Sequence, residues 1–90
     1  MSIKIHILPS LRYLTGGKAA VEVAGSTVAQ CLAELARQFP GVRTILFDET
    51  GDFLNYVDVY VNGESSYFDG PTKAVRDGDE LHILLPDEGG

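Results

Sequence analysis

Asp77-Gly-Asp-Glu-Leu-His-Ile-Leu-Leu-Pro-Asp-Glu-Gly-Gly90 passes from a polar turn into a strand and then into a tail that has nothing to pack. Leu81, Ile83 and Leu85 alternate with His82 and Leu84, the period of a strand with one face turned inward. The pattern runs through Pro86 and two acids, Asp87 and Glu88, into Gly89-Gly90. Terminal glycines add no packing and carry the greatest conformational entropy of any residue. A frayed end accounts for them. So does a terminal carboxylate that must enter a narrow site on another protein, where side chains obstruct.

Upstream of this strand, Val57, Val59 and Val61 alternate with Asp58 and Tyr60 and run into Asn62-Gly63, the strongest short hairpin signal in a sequence. Residues 64–72 predict a short pairing followed by a loop, because Asp69-Gly70-Pro71 breaks any strand. At the other end of the chain Ile3, Ile5 and Ile7 alternate with Lys4, His6 and Leu8, a half-buried strand stopped by Pro9. A helical turn over Leu11 to Leu14 and the pair Gly16-Gly17 lead into a second strand, Ala19 to Ala24, which predicts an antiparallel hairpin.

Between these strands the period changes. Val28, Cys31, Leu32, Leu35 and Phe39 form one helical stripe, Thr27 and Gln30 make a capping box, and Pro40-Gly41 ends the helix. A second short helix is expected over Val42 to Phe47, then a polar turn over residues 48–52 and a minor strand at Phe53-Leu54. If the first and last strands lie side by side in parallel, the helix must cross one face of the sheet and leave the other open. The open face then gathers Lys4, His6, Leu8, Tyr60, His82 and Leu84, the form of a protein docking surface; scattered surface residues are the plainer alternative.

Composition narrows the function. Ninety residues with 44% hydrophobic content make one small domain, residues 1–90, with a flexible tail over 86–90. Thirteen acids against seven bases give a net charge of −6, which disfavours nucleic acid and anionic membranes and favours a basic protein partner. Apolar runs are strand-length and Met1-Ser-Ile-Lys lacks the layout of a signal peptide, so a cytoplasmic location is expected. The single cysteine, Cys31, sits on the buried stripe and reads as a structural thiol. On that parallel arrangement His6 and His82 become cross-strand neighbours, but with no third ligand in view they make a poor zinc site. Asp52, Asp58, Asp77 and Asp79 read as turn acids, since no nucleophile accompanies them. Neither a catalytic group nor a metal nor a bound cofactor is expected.

The early hairpin, the Ser-Thr-Val helix start, Val59-Tyr-Val-Asn-Gly63, Asp77-Gly-Asp-Glu80, the closing strand, Pro86 and Gly89-Gly90 resemble the ubiquitin-like β-grasp sulfur carriers of the MoaD and ThiS type. The resemblance covers essentially the whole chain. It implies an α+β fold with a mixed sheet of four to five strands, one main helix on one face and a short second helix. It also implies a carrier rather than an enzyme. A ubiquitin-activating-type adenylyltransferase, using ATP, adenylates the Gly90 carboxylate, and a sulfur donor such as a persulfide-bearing sulfurtransferase converts it to a thiocarboxylate. An acceptor synthase then takes the sulfur in molybdopterin, cysteine or homocysteine, or thio-metabolite synthesis. Gly89 gives clearance, and a processing protease is a further partner if residues follow Gly90 in the gene. A ubiquitin-like modifier, joining Gly90 to lysines by isopeptide bonds, is the alternative.

Family tails often place small or apolar residues before the diglycine, whereas Asp87-Glu88 sets two charges beside the reacting end. These suit a basic slot, so Pro86, Asp87 and Glu88 join Leu8, His6, Tyr60, His82 and Leu84 as expected docking residues. Residues 42–54 look like an insertion relative to the shorter thiazole carrier.

Overall fold

The computed structural model describes residues 2–51, 57–66 and 70–85. Alternation builds the first hairpin: β1 (Ile3–His6) pairs antiparallel with β2 (Ala20–Val23), Ile5 opposite Val21 and Lys4 opposite Glu22. A 3-10 helix over Pro9–Thr15 joins them, longer than the single turn expected. It is anchored by Thr15, a buried hydroxyl shared between the carbonyls of Arg12 and Lys18.

The helical stripe forms α1 (Val28–Gln38), and Thr27 caps it by accepting the Gln30 amide at 3.1 Å. The glutamine reaches back to the amide of Ser26, one residue before its usual target, at 2.8 Å. Thr27 itself is bridged to Ala74, with Val28 N–H donating to the Lys73 carbonyl and Val75 N–H to that of Ser26. The helix start is thereby stitched to the segment that precedes the last strand. Phe39 departs from the expected stripe: its φ of −132° ends the helix, it is only half-buried, and Ala36 takes the buried position instead. A 3-10 turn (Pro40–Val42) and α2 (Arg43–Leu46) form the short second helix.

The remaining strands are β3 (Asp58–Val61), β4 (Glu64–Ser65) and β5 (Glu80–Leu84). A short 3-10 turn over Gly70–Thr72 lies between β4 and β5. The five-stranded order is β2-β1-β5-β3-β4, with β1 and β5 parallel and every other pair antiparallel. This is the mixed sheet that the β-grasp resemblance implies. One face, carrying Ile3, Ile5, Val59, Val61, Leu81 and Ile83, is sealed by Val28, Cys31, Leu32 and Leu35 of α1. Full burial of each such aliphatic chain is worth about 1.5–3 kcal/mol against leaving it exposed. The expected minor strand at Phe53-Leu54 and the tail 86–90 lie outside the described residues.

Candidate functional site

Two turns that look unrelated in sequence form one hydrogen-bonded unit. Asn62 has φ 51° and Gly63 φ 88°, the paired left-handed residues of a tight hairpin turn. The Asn62 amide nitrogen Nδ2 donates to Asp79 Oδ1 at 3.0 Å, and its Oδ1 accepts the backbone N–H of residue 80 at 2.9 Å. Its backbone N–H donates to the Glu80 carbonyl at 2.8 Å. Asp79 also accepts from the Arg76 amide at 2.8 Å; these bonds, the one from Asn62 first, hold its carboxyl below the usual carboxylate range.

The same turn grips the other neighbour of β5. Gly78 N–H donates to the Ser2 carbonyl, Lys4 N–H to the Asp79 carbonyl, and the Ser2 amide to Asp77 Oδ1. Asp77 and Asp79 are thus turn acids that fix where β5 begins between β1 and β3. Asp58, another of the expected turn acids, stands on β3 and accepts from the Ser65 hydroxyl at 2.8 Å.

With β5 so placed, the open face is a grid. Ala20, His6, His82, Tyr60 and Ser65 lie opposite one another across all five strands, and Lys4 stands between Glu22 and Glu80 in the row beside them. His6 and His82 stack, centroids 4.2 Å apart and planes 7° from parallel. The rings meet face to face, so their nitrogens do not converge on a common point. His6 Nε2 lies 2.6 Å from Glu80 Oε1, and that bond, ahead of the charge of His6 itself, holds the Glu80 carboxyl low. Among the described residues no group of three or more histidine, cysteine or acidic side chains is gathered as metal ligands.

Of the expected docking residues, His6, Tyr60, His82 and Leu84 stand on this face, and Leu84 is 39% exposed. Leu8 lies past the end of β1, half-buried against the core, where it forms part of a groove with His6, Arg12, His82 and Leu84. The stacked pair and the Glu80 carboxylate make the centre of the face polar. Pro86, Asp87, Glu88, Gly89 and Gly90 lie outside the described residues.

Cys31 is fully buried on α1, and burial, with the charge of Asp79 second, pushes its thiol up to about 11. A Cβ on Gly25 would fall 2.9 Å from its sulfur and 3.0 Å from its backbone nitrogen, so this glycine is required by close approach. Sequence reasoning missed both Gly25 and Arg12; neither belongs to a periodic pattern.

The family model for ThiS matches residues 5–90. The chain belongs to the ThiS family. It is 32% identical to the sulfur carrier protein CysO of Mycobacterium tuberculosis, over 93 aligned positions that span the whole of both chains. Among solved structures, a chain of the Amycolatopsis orientalis BexX/CysO complex superposes with a TM-score of 0.84 at 33% identity, covering 92% of this chain and 93% of that one. The modifier protein SAMP1 from Haloferax volcanii superposes with a TM-score of 0.86 at 26% identity over the whole of both chains. The ubiquitin-like β-grasp fold of this ThiS-family chain is therefore that of carriers and modifiers alike. No helix among the described residues is long and apolar enough to cross a membrane.

Proposed function

We infer that this ThiS-family chain is a cytoplasmic sulfur carrier whose working group is the Gly90 carboxylate. The observation that carries this reading is the full-length similarity to proteins known as sulfur carriers, with the family match running through both glycines. A free carboxylate resists sulfur nucleophiles, so it must first be activated. A ubiquitin-activating-type partner joins it to the α-phosphate of ATP, forming acyl-adenylate and releasing pyrophosphate. Sulfide then attacks the acyl carbon and expels AMP, leaving Gly90 as a thiocarboxylate. A persulfide donor instead gives an acyl disulfide, from which a thiol reductant releases the same product. In this scheme the folded domain supplies no reacting group.

Among acceptors, the cysteine route is favoured over molybdopterin by the likeness to CysO, and an acceptor enzyme docked on the open face is the expected assembly. Incubation with a co-encoded activating enzyme, ATP and a sulfur donor, followed by intact-mass analysis, is expected to show exchange of one oxygen for sulfur at the terminus. Deletion of Gly90 abolishes it. An unchanged mass with every co-encoded activating enzyme would refute the reading. Similarity to SAMP1 favours a second role, isopeptide attachment of Gly90 to lysines. Stable high-mass conjugates on denaturing blots of cell extract distinguish it.

A further inference from the structure

At the centre of the open face two titratable rings lie flat against each other. His6 of β1 and His82 of β5 are register partners, with ring centroids 4.2 Å apart and planes 7° from parallel. His6 is half-buried and His82 exposed, so protons reach both from solvent. Imidazole is the side chain that ordinarily gains its proton between about pH 5 and 8. Two neutral rings gain from lying in contact, and so does one imidazolium against a neutral ring, because a cation is drawn to an aromatic face. Two imidazoliums at this spacing are like charges in contact.

The groups around the pair match one added charge and no more. Glu80 lies 2.6 Å from His6 Nε2, and Lys4, its register partner on β1, faces the same carboxylate. On the β2 side Ala20 stands opposite His6, while Glu22, opposite Lys4, accepts from the Ser2 hydroxyl. On the β3 side the phenol of Tyr60 stands opposite His82, and Asp58, opposite Leu84, is engaged by the Ser65 hydroxyl. The 3-10 helix after β1 adds a second cation, Arg12, to the groove that both histidines line. Among the described residues Glu80 is thus the one carboxylate bonded to the pair, and it is bonded to His6. We propose that the His6–His82 stack is a pH-sensitive clasp across β1 and β5, closed while at most one ring carries a proton and open when both do. The ring that leaves is His82, the more exposed of the two and the one without a carboxylate partner. Opening turns a closed pair into two separated charges beside Arg12 and Lys4. On the function proposed above, docking of a basic partner on this face then weakens as pH falls; that consequence rests on the sulfur-carrier reading, whereas the clasp itself does not.

The test uses the full chain alone, so its outcome is independent of any sulfur chemistry. In NMR spectra the imidazole nitrogen shifts report when each ring is charged, and nuclear Overhauser contacts between the His6 and His82 ring protons report the stack. From about pH 8 downward the wild type is expected to keep these contacts until both rings are charged and then to lose them. The methyl signals of the buried Ile3 and Ile5 are expected to stay in place throughout. His82→Phe keeps an aromatic ring at an exposed strand position and removes one of the two charges, so its contacts with His6 are expected to persist over the same range. Contacts that survive in the wild type with both rings charged would overturn the proposal, as would contacts missing at pH 8 or lost with one ring charged. So would their loss in His82→Phe, or core methyl signals that vanish with them or before them, since the opening is then unfolding.

Discussion

Replacing Asn62 by alanine tests whether the two turns act as one unit. The substitution removes the 3.0 Å bond to Asp79 and the 2.9 Å bond to the amide of residue 80, and leaves a Cβ residue at φ 51°. A hydrogen bond to a charged group contributes about 1.5 kcal/mol at its lower, solvent-exposed end, a neutral one about 0.5 kcal/mol, and left-handed backbone without asparagine's local help about 1 kcal/mol. The expected loss is about 2–3 kcal/mol, read as a lower urea midpoint at unchanged slope; each kcal/mol lowers Tm by about 4–8 °C in a domain of this size. Asn62→Gly loses the same side-chain bonds without the backbone strain and should be less destabilised by about 1 kcal/mol.

The effect also carries a pH signature. Asn62 is the first cause of the lowered Asp79 pKa, whose ordinary value is 3.8. A carboxyl with a lowered folded pKa contributes stability above its unfolded value, and that contribution is lost as pH falls through the folded one. The difference between wild type and Asn62→Ala should therefore be full at neutral pH and shrink below about pH 4. A glycine variant as unstable as the alanine variant, or a difference flat across the acid range, would refute the reasoning.

Gly25→Ala should destabilise by about 1–3 kcal/mol through overpacking, and Cys31→Ala should rescue it only in part, because the backbone nitrogen at 3.0 Å remains; equal and additive losses in a double-mutant cycle would contradict this. Cys31, with its thiol near 11 and no exposure, should resist disulfide reagents at pH 8 in the native state and react at once in urea; native labelling at the rate of a free thiol would show that the site opens. His6→Ala removes the first cause of the low Glu80 carboxyl, so carbon-detected titration should find that pKa moving up toward the ordinary 4.5; an unmoved titration would mean that the 2.6 Å bond is not formed in solution.

Much of the fold was legible because its elements differ in period. Ile3 to Ile7 and Val57 to Val61 alternate by two, the stripe of α1 repeats at the helical spacing, and Asn62-Gly63 marks a turn by its conformational demand. Parallel pairing of the first and last strands was a condition that the pattern allowed, and under it His6 falls beside His82, as it does in the sheet. Less visible were interactions that depend on three-dimensional adjacency. Asn62 signalled a hairpin, yet its bonds to residues 79 and 80 belong to a different turn. No periodic pattern marks Gly25, and only the positions of the Cys31 sulfur and backbone nitrogen show why a methyl group does not fit. At the site, alternation assigned residues to a face but not the polarity of that face, since a histidine can stack, pair or point to water.

The position of β5 has a mechanical meaning. It is bonded on both sides, in parallel to β1 and antiparallel to β3, and it is also the strand from which the chain continues toward Gly90. If, as proposed, a partner draws the terminus into a cleft, it pulls along two ladders in shear, and bonds must yield together instead of peeling one at a time from an edge. The end of the chain can be gripped and tugged while its moorings, the amides of β5, remain among the last to exchange with solvent.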